Sequence, residues 1–193
     1  MTTARQCGRA SGRASGRVSA RVAVALVGAL AMTVIVPLTS QALVVNGVEN
    51  GDLSAGTGDA FECFTNAGWG DNDDELTAVP GRGGAGRAAS LTLNDWASGD
   101  RKLLPSQTAG CAPAVTAGSQ YLLGVWYTAT RPVNLTLFRH SAAGWTYYTD
   151  LQTLPAASAF TQVQLTTPVL PEGTDQLSWG LSIAGDGTVV TDD

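Results

Sequence analysis

Polar and apolar side chains alternate one for one through long stretches of this chain. In "SLTLNDW", Leu91 and Leu93 fall on one side, while Ser90, Thr92 and Asn94 fall on the other. In "VNLTLF", Val133, Leu135 and Leu137 oppose Asn134, Thr136 and Phe138. In "QLSWGLSI", Leu177, Trp179, Leu181 and Ile183 oppose Ser178, Gly180 and Ser182. A period of two puts successive side chains on opposite faces of an extended strand, whereas an amphipathic helix repeats its apolar positions every three to four residues. Nothing after Ala42 has the helical spacing. Strands are expected near Ala60–Phe64, Arg87–Leu93, Lys102–Ser106, Tyr121–Ala129, Val133–His140, Trp145–Leu154, Phe160–Thr166, Gln176–Ile183 and Val189–Thr191. They are short and rich in β-branched and aromatic residues. "TATRPV" and "SAAG" read as hairpin connections. Strands so closely spaced, with no helices between them, predict an all-β antiparallel sandwich. One face of each strand would pack on the core, and the other would meet water or a ligand.

The first 42 residues have a different character. They hold five arginines and no acid, then an apolar run of 15 residues from Val22 to Val36, then Ser40-Gln41-Ala42. The run is shorter than the roughly 20 residues needed to span a bilayer. Residues 1–42 therefore read as a secretory signal peptide cleaved after Ala42, leaving residues 43–193 as one sandwich domain. The alternative is an uncleaved anchor. No Arg-Arg pair suggests a twin-arginine route, and Cys7 precedes the apolar run, where lipidation is not expected.

After Ala42, six basic side chains face sixteen acidic ones, a net charge of −10. Such a surface repels nucleic acid and anionic lipid. A neutral partner, a polysaccharide or glycan, suits it better, and a monomer is expected. Two cysteines remain, Cys63 and Cys111, and in an exported chain an even pair argues for a disulfide.

Several motifs invite a catalytic or cofactor reading. "GRGGAG" (Gly81–Gly86) fits the spacing of a dinucleotide loop, but it leads into the strand "RAASLTL" rather than a helix, so no helix N-terminus would meet a phosphate. It reads as a flexible turn. "DNDDE" (Asp71–Glu75) lacks the glycine and terminal glutamate of an EF-hand and reads as a solvated loop. His140 has no G-x-S-x-G serine to activate. Glu49, Glu62, Glu75 and Glu172 leave a glycan hydrolase formally open, since two carboxylates suffice for that chemistry. Near the two ends of the domain, Glu49 and Asp192 or Asp193 would share a hard cation such as calcium if the terminal strands lie close together.

Five tryptophans and four tyrosines are the remaining feature. Indole and phenol rings pack on the C–H faces of sugars. Trp179, Tyr121 and Tyr127 alternate with core residues and are expected inside. Trp96, Trp126, Trp145 and Tyr148 are the candidate ligand-binding rings.

Several stretches together resemble the carbohydrate-binding-module-like jelly rolls of actinobacterial secreted proteins, within the galactose-binding-like superfold. "VVNGVENGD" is similar to their opening N-x-x-x-E, and "FECF" and "GCAPAV" to two cysteine-bearing segments. "DWASGDRKL" is the most specific stretch, "YLLGVWYTATRPV" resembles the strand that follows, and "TDD" the closing strand. The resemblance covers roughly residues 44–193. It implies a jelly-roll sandwich that binds carbohydrate without transforming it, and a structural calcium held by Glu49 and Asp192. A structural or protein-interaction sandwich without a sugar site is the alternative, and a glycan hydrolase comes third.

Overall fold

The computed structural model describes residues 46–108 and 110–193; the expected signal peptide, with Cys7, lies outside them. The strands, in chain order, are β1 (Phe64–Trp69), β2 (Asp73–Pro80), β3 (Arg87–Asn94), β4 (Asp100–Pro105), β5 (Leu122–Ala129), β6 (Val133–Ser141), β7 (Gly144–Leu154), β8 (Ala157–Thr166), β9 (Gln176–Ile183) and β10 (Gly187–Asp192). They form two antiparallel five-stranded sheets. Sheet A has the order β1-β4-β9-β6-β7, and sheet B the order β2-β3-β10-β5-β8. A single 3-10 turn, Arg82–Gly84, is the one helical segment among the described residues.

The alternation places the core as expected. Leu91 and Leu93 of β3, Val189 of β10, Leu135 of β6, and Leu181 and Ile183 of β9 are buried together between the sheets. Tyr127 joins them, and Trp179 packs against the same cluster. In β9 the opposite face is also shut away from water. Ser178 and Ser182 are buried, because β9 is the central strand of its sheet. Their hydroxyls stay paired: Ser178 Oγ donates to the Pro105 carbonyl at 2.7 Å, and Ser182 Oγ to Asp100 Oδ2 at 2.8 Å.

Three expectations change. "TATRPV" is not a hairpin connection: β5 belongs to sheet B and β6 to sheet A, so this segment crosses from one sheet to the other. Ala60–Phe64 is not a strand: Cys63 takes φ +61°, and the Phe64 N–H donates back to the Phe61 carbonyl at 3.2 Å. The chain turns there and β1 starts at Phe64, where the turn ends. "DNDDE" is not a solvated loop either. Its last three residues begin β2, with Asp73 opposite Asn94 and Glu75 opposite Thr92. Asp74 is tolerated there because it is paired, with Arg101 Nε 2.8 Å from Oδ1 and Asn66 Nδ2 donating to Oδ2. The "GRGGAG" turn stands as read: Gly83, Gly84 and Gly86 have φ of +78°, +80° and +69°, and β3 follows directly.

Cys63 and Cys111 form the disulfide, with Cα atoms 5.0 Å apart. With the hydrogen bond from Ser106 N to the Cys63 carbonyl at 2.7 Å, it holds the segment after β4 against the start of β1. No helix among the described residues is long and apolar enough to cross a membrane.

Candidate functional site

Strand register determines which side chains share the outward face of sheet A. Thr65, Ala67 and Trp69 of β1 lie opposite Leu104, Lys102 and Asp100 of β4. Lys102 lies opposite Ser182 of β9, and Ser182 opposite Asn134 of β6. The row ends at Thr153 of β7. Parallel rows run Gly180–Thr136–Asp150, Ser178–Phe138–Tyr147 and Gln176–His140–Trp145. The inward positions between them on β6 and β9, Leu135, Leu137, Leu177, Trp179, Leu181 and Ile183, pack in the core, so this whole set points away from it.

Rings stand at the two edges of this face. Trp69 is 66 % exposed and Tyr147 58 % exposed. Both rings stand out from the sheet edges into solvent. Tyr147 meets Phe138 edge to face, with centroids 6.0 Å apart. Between the edges lies a groove of about 290 Å³ lined by Thr65, Trp69, Lys102, Leu104, Gln107 and Phe138.

The floor is polar and tied together. Lys102 is almost fully buried; its Nζ pairs with Asp100 Oδ1 and lies 5.9 Å from the Phe138 centroid. Asp150 accepts from Thr136 Oγ1 at 2.7 Å and Asn134 Nδ2 at 3.3 Å. Thr153 Oγ1 donates to Asn134 Oδ1 at 2.7 Å. One cation among two carboxylates leaves the floor without surplus positive charge. Such a surface offers apolar ring faces beside fixed donors and acceptors, which is how neutral sugar rings are held.

The four rings expected from the sequence occupy four separate environments. Trp145 lies on this face at its far end, with Nε1 donating to the Gln107 carbonyl at 3.1 Å and its ring 5.2 Å from His140. His140 Nδ1 is 2.6 Å from Asp175 Oδ1. Trp96 sits in the β3–β4 connection, 42 % exposed, with Nε1 donating to the Gly99 carbonyl at 2.9 Å. Trp126 lies on the outward face of sheet B, under the Arg82 guanidinium at 4.2 Å from its ring centroid. Tyr148 packs inward against the cluster of Leu123, Leu137, Leu170 and Leu177.

Sequence reasoning passed over Trp69, Phe138, Tyr147 and Lys102. Trp69 was unreadable while β1 was placed before it. Tyr147 and Tyr148 are adjacent, and a register shift between β6 and β7 just before Phe138 decides which of them points outward.

Of the expected calcium ligands, Glu49 is exposed and Asp192 buried. Asp192 Oδ2 accepts the Arg82 N–H at 2.6 Å. Among the described residues no group of three or more His, Cys, Asp or Glu converges on a point. An ion held by Glu49 and Asp192 would therefore draw its remaining ligands from backbone carbonyls or water.

No family model matches the chain, and no curated protein matches its sequence. Solved structures match in fold. The enzymatically active domain of tailspike protein 4 from bacteriophage CBA120 superposes with a TM-score of 0.57 at 15 % identity, over 76 % of this chain and 20 % of that one. The present chain thus spans about a fifth of the tailspike domain. The CBM22-1 xylan-binding domain of Paenibacillus barcinonensis Xyn10C gives 0.52 at 13 % identity, over 74 % and 87 % of the two chains. A CBM4 structure gives 0.50 at 15 % identity, over 76 % and 96 %. The chain has the β-sandwich fold of carbohydrate-binding modules.

Proposed function

We propose that this protein is an exported, non-catalytic module that binds a neutral glycan across the outward face of sheet A. The observation behind the reading is the exposure of Trp69 and Tyr147 on one face, on either side of a groove with a fixed polar floor. Stacking on the rings would give affinity, and Lys102, Asp100, Asp150 and Asn134 would read hydroxyl positions. Trp145 would close one end. The fold shared with carbohydrate-binding modules supports the same reading, as does a disulfide of the kind that persists in oxidising compartments.

Titration against a panel of soluble neutral polysaccharides tests it. Trp69→Ala should weaken binding about ten-fold or more, as loss of a central aromatic anchor does, and Tyr147→Ala should weaken it less. Trp126→Ala asks whether the outward face of sheet B contributes. Undiminished binding by Trp69→Ala together with Tyr147→Ala would move the site off sheet A. Release of reducing sugar by the purified protein would replace the non-catalytic reading. Export predicts a secreted product beginning at Leu43. Structural calcium predicts a thermal midpoint raised by calcium in the wild type but not in Asp192→Asn.

A further inference from the structure

β3 belongs to sheet B and β4 to sheet A, so the connection between them, residues 95–99, crosses the end of the sandwich. It opens on a sharp turn, with Asp95 at φ +50°. It is then braced against the connection from β1 to β2. The Ala97 and Ser98 N–H groups donate to the Asp71 carbonyl at 2.9 and 3.0 Å, and the Asp71 N–H donates to Ser98 Oγ at 3.1 Å. Asn72 Nδ2 donates to the Ser98 carbonyl at 2.7 Å and to the Trp69 carbonyl at 3.2 Å.

Trp96 is held at two points in this braced segment. Its backbone N–H donates to Asp186 Oδ1 at 2.9 Å, and its indole Nε1 to the Gly99 carbonyl at 2.9 Å. The one polar atom of the side chain is thus already satisfied, while the ring stays 42 % exposed. What it offers outward is carbon and π surface. A single exposed ring needs no partner on that account alone. This one is fixed in place, which lowers the entropy lost when a ligand settles on it.

It also stands beside Trp69. Gly99, whose carbonyl holds the Trp96 indole, lies so close to the end of β1 that a Cβ there would collide with the Trp69 carbonyl. Trp69 itself lies opposite Asp100, the first residue of β4. Both indoles therefore hang from one clasp, at the corner where sheet A meets the end of the sandwich. We infer that Trp96 is a further stacking platform beside Trp69, and that the binding surface turns this corner. It takes the next units of a neutral glycan chain whose first units lie on sheet A, so the ligand is an oligosaccharide rather than a single sugar. The inference rests on the glycan reading above. Because the indole N–H is engaged by Gly99, this platform supplies stacking without a hydrogen bond and reads ring faces rather than hydroxyl positions.

Calorimetric titration with cello-, xylo- and manno-oligosaccharides, from dimer to octamer, tests it. The wild type should bind at least one series, with affinity still rising at lengths where Trp96→Ala has levelled off. Trp96→Ala should bind the longest members about ten-fold more weakly, and the shortest that bind within about two-fold of wild type. Trp96→Leu, apolar but without a flat face, should behave as Trp96→Ala does and replaces it should that variant fail to fold. Trp96→Tyr should stay within about three-fold of wild type at every length. Undiminished binding of the longest members by Trp96→Ala, with Trp69→Ala still weak, would overturn the inference and leave the sheet A reading standing. A loss that is equal at every length would overturn it too, since Trp96 would then act on the sheet A site and not beyond it. A wild type that binds none of the three series would overturn both readings.

Discussion

Tyr127 is buried between the sheets, and its hydroxyl donates to the Pro155 carbonyl at 3.0 Å. Burial disfavours the phenolate and raises its pKa above the ordinary 10.0. An unfolded chain ionises at the ordinary value, so Tyr127 adds stability that is fully present below that pH and lost as pH rises through the folded value. Tyr127→Phe should cost about 1 kcal/mol at neutral pH through the lost hydrogen bond. That gap should narrow in denaturation curves recorded at alkaline pH. Tyr127, Trp179 and the alternating leucines were legible as core because period two alone settles their side. Trp126 was readable as outward by the same rule. Its cover was not, because Arg82 reaches it from a different loop and is held by Asp193 at 2.9 Å.

Strand existence was legible more often than strand limits. β3, β5, β6 and β9 lie where alternation put them, since each turns one face to the core, and β7 lies where expected although only Leu154 in it is fully buried. β1 was displaced and β2 was missed: the acids that open β2 read as a solvated loop, because the partners that pair Asp74, Arg101 and Asn66, lie elsewhere in the chain. The Tyr147–Tyr148 choice was lost to a bulge that local sequence does not announce. Close approach is another cross-strand effect. A Cβ added at Gly180 of β9 would collide with the Leu103 carbonyl of β4. Gly180→Ala should therefore destabilise by about 1–3 kcal/mol, read as a lowered denaturant midpoint. Reducing the Cys63–Cys111 bridge, with its sequence separation of 48, should cost about 4 kcal/mol in the chain-entropy model. It should also weaken glycan binding, because the segment holding Gln107 over the groove is freed.

Charge acts on the whole molecule. With six basic and sixteen acidic side chains after Ala42, the domain bears −10, whereas the ligand proposed for sheet A is neutral. Binding to a neutral polysaccharide should change less than about two-fold when ionic strength rises from about 0.05 to 0.5 M, because no long-range attraction is there to be screened. An acidic polysaccharide should bind weakly and respond strongly to salt. The strand order 1-4-9-6-7 has another result. Trp69 and Lys102 come from early in the domain, while Phe138, Tyr147 and Ser182 come from its second half. No cut through the middle of the polypeptide would leave a fragment with half an affinity. If the outward face of sheet A binds a polymer as proposed, a chain caught midway through folding would be blind to it and would gain its grip only when the last strands have slotted between the first.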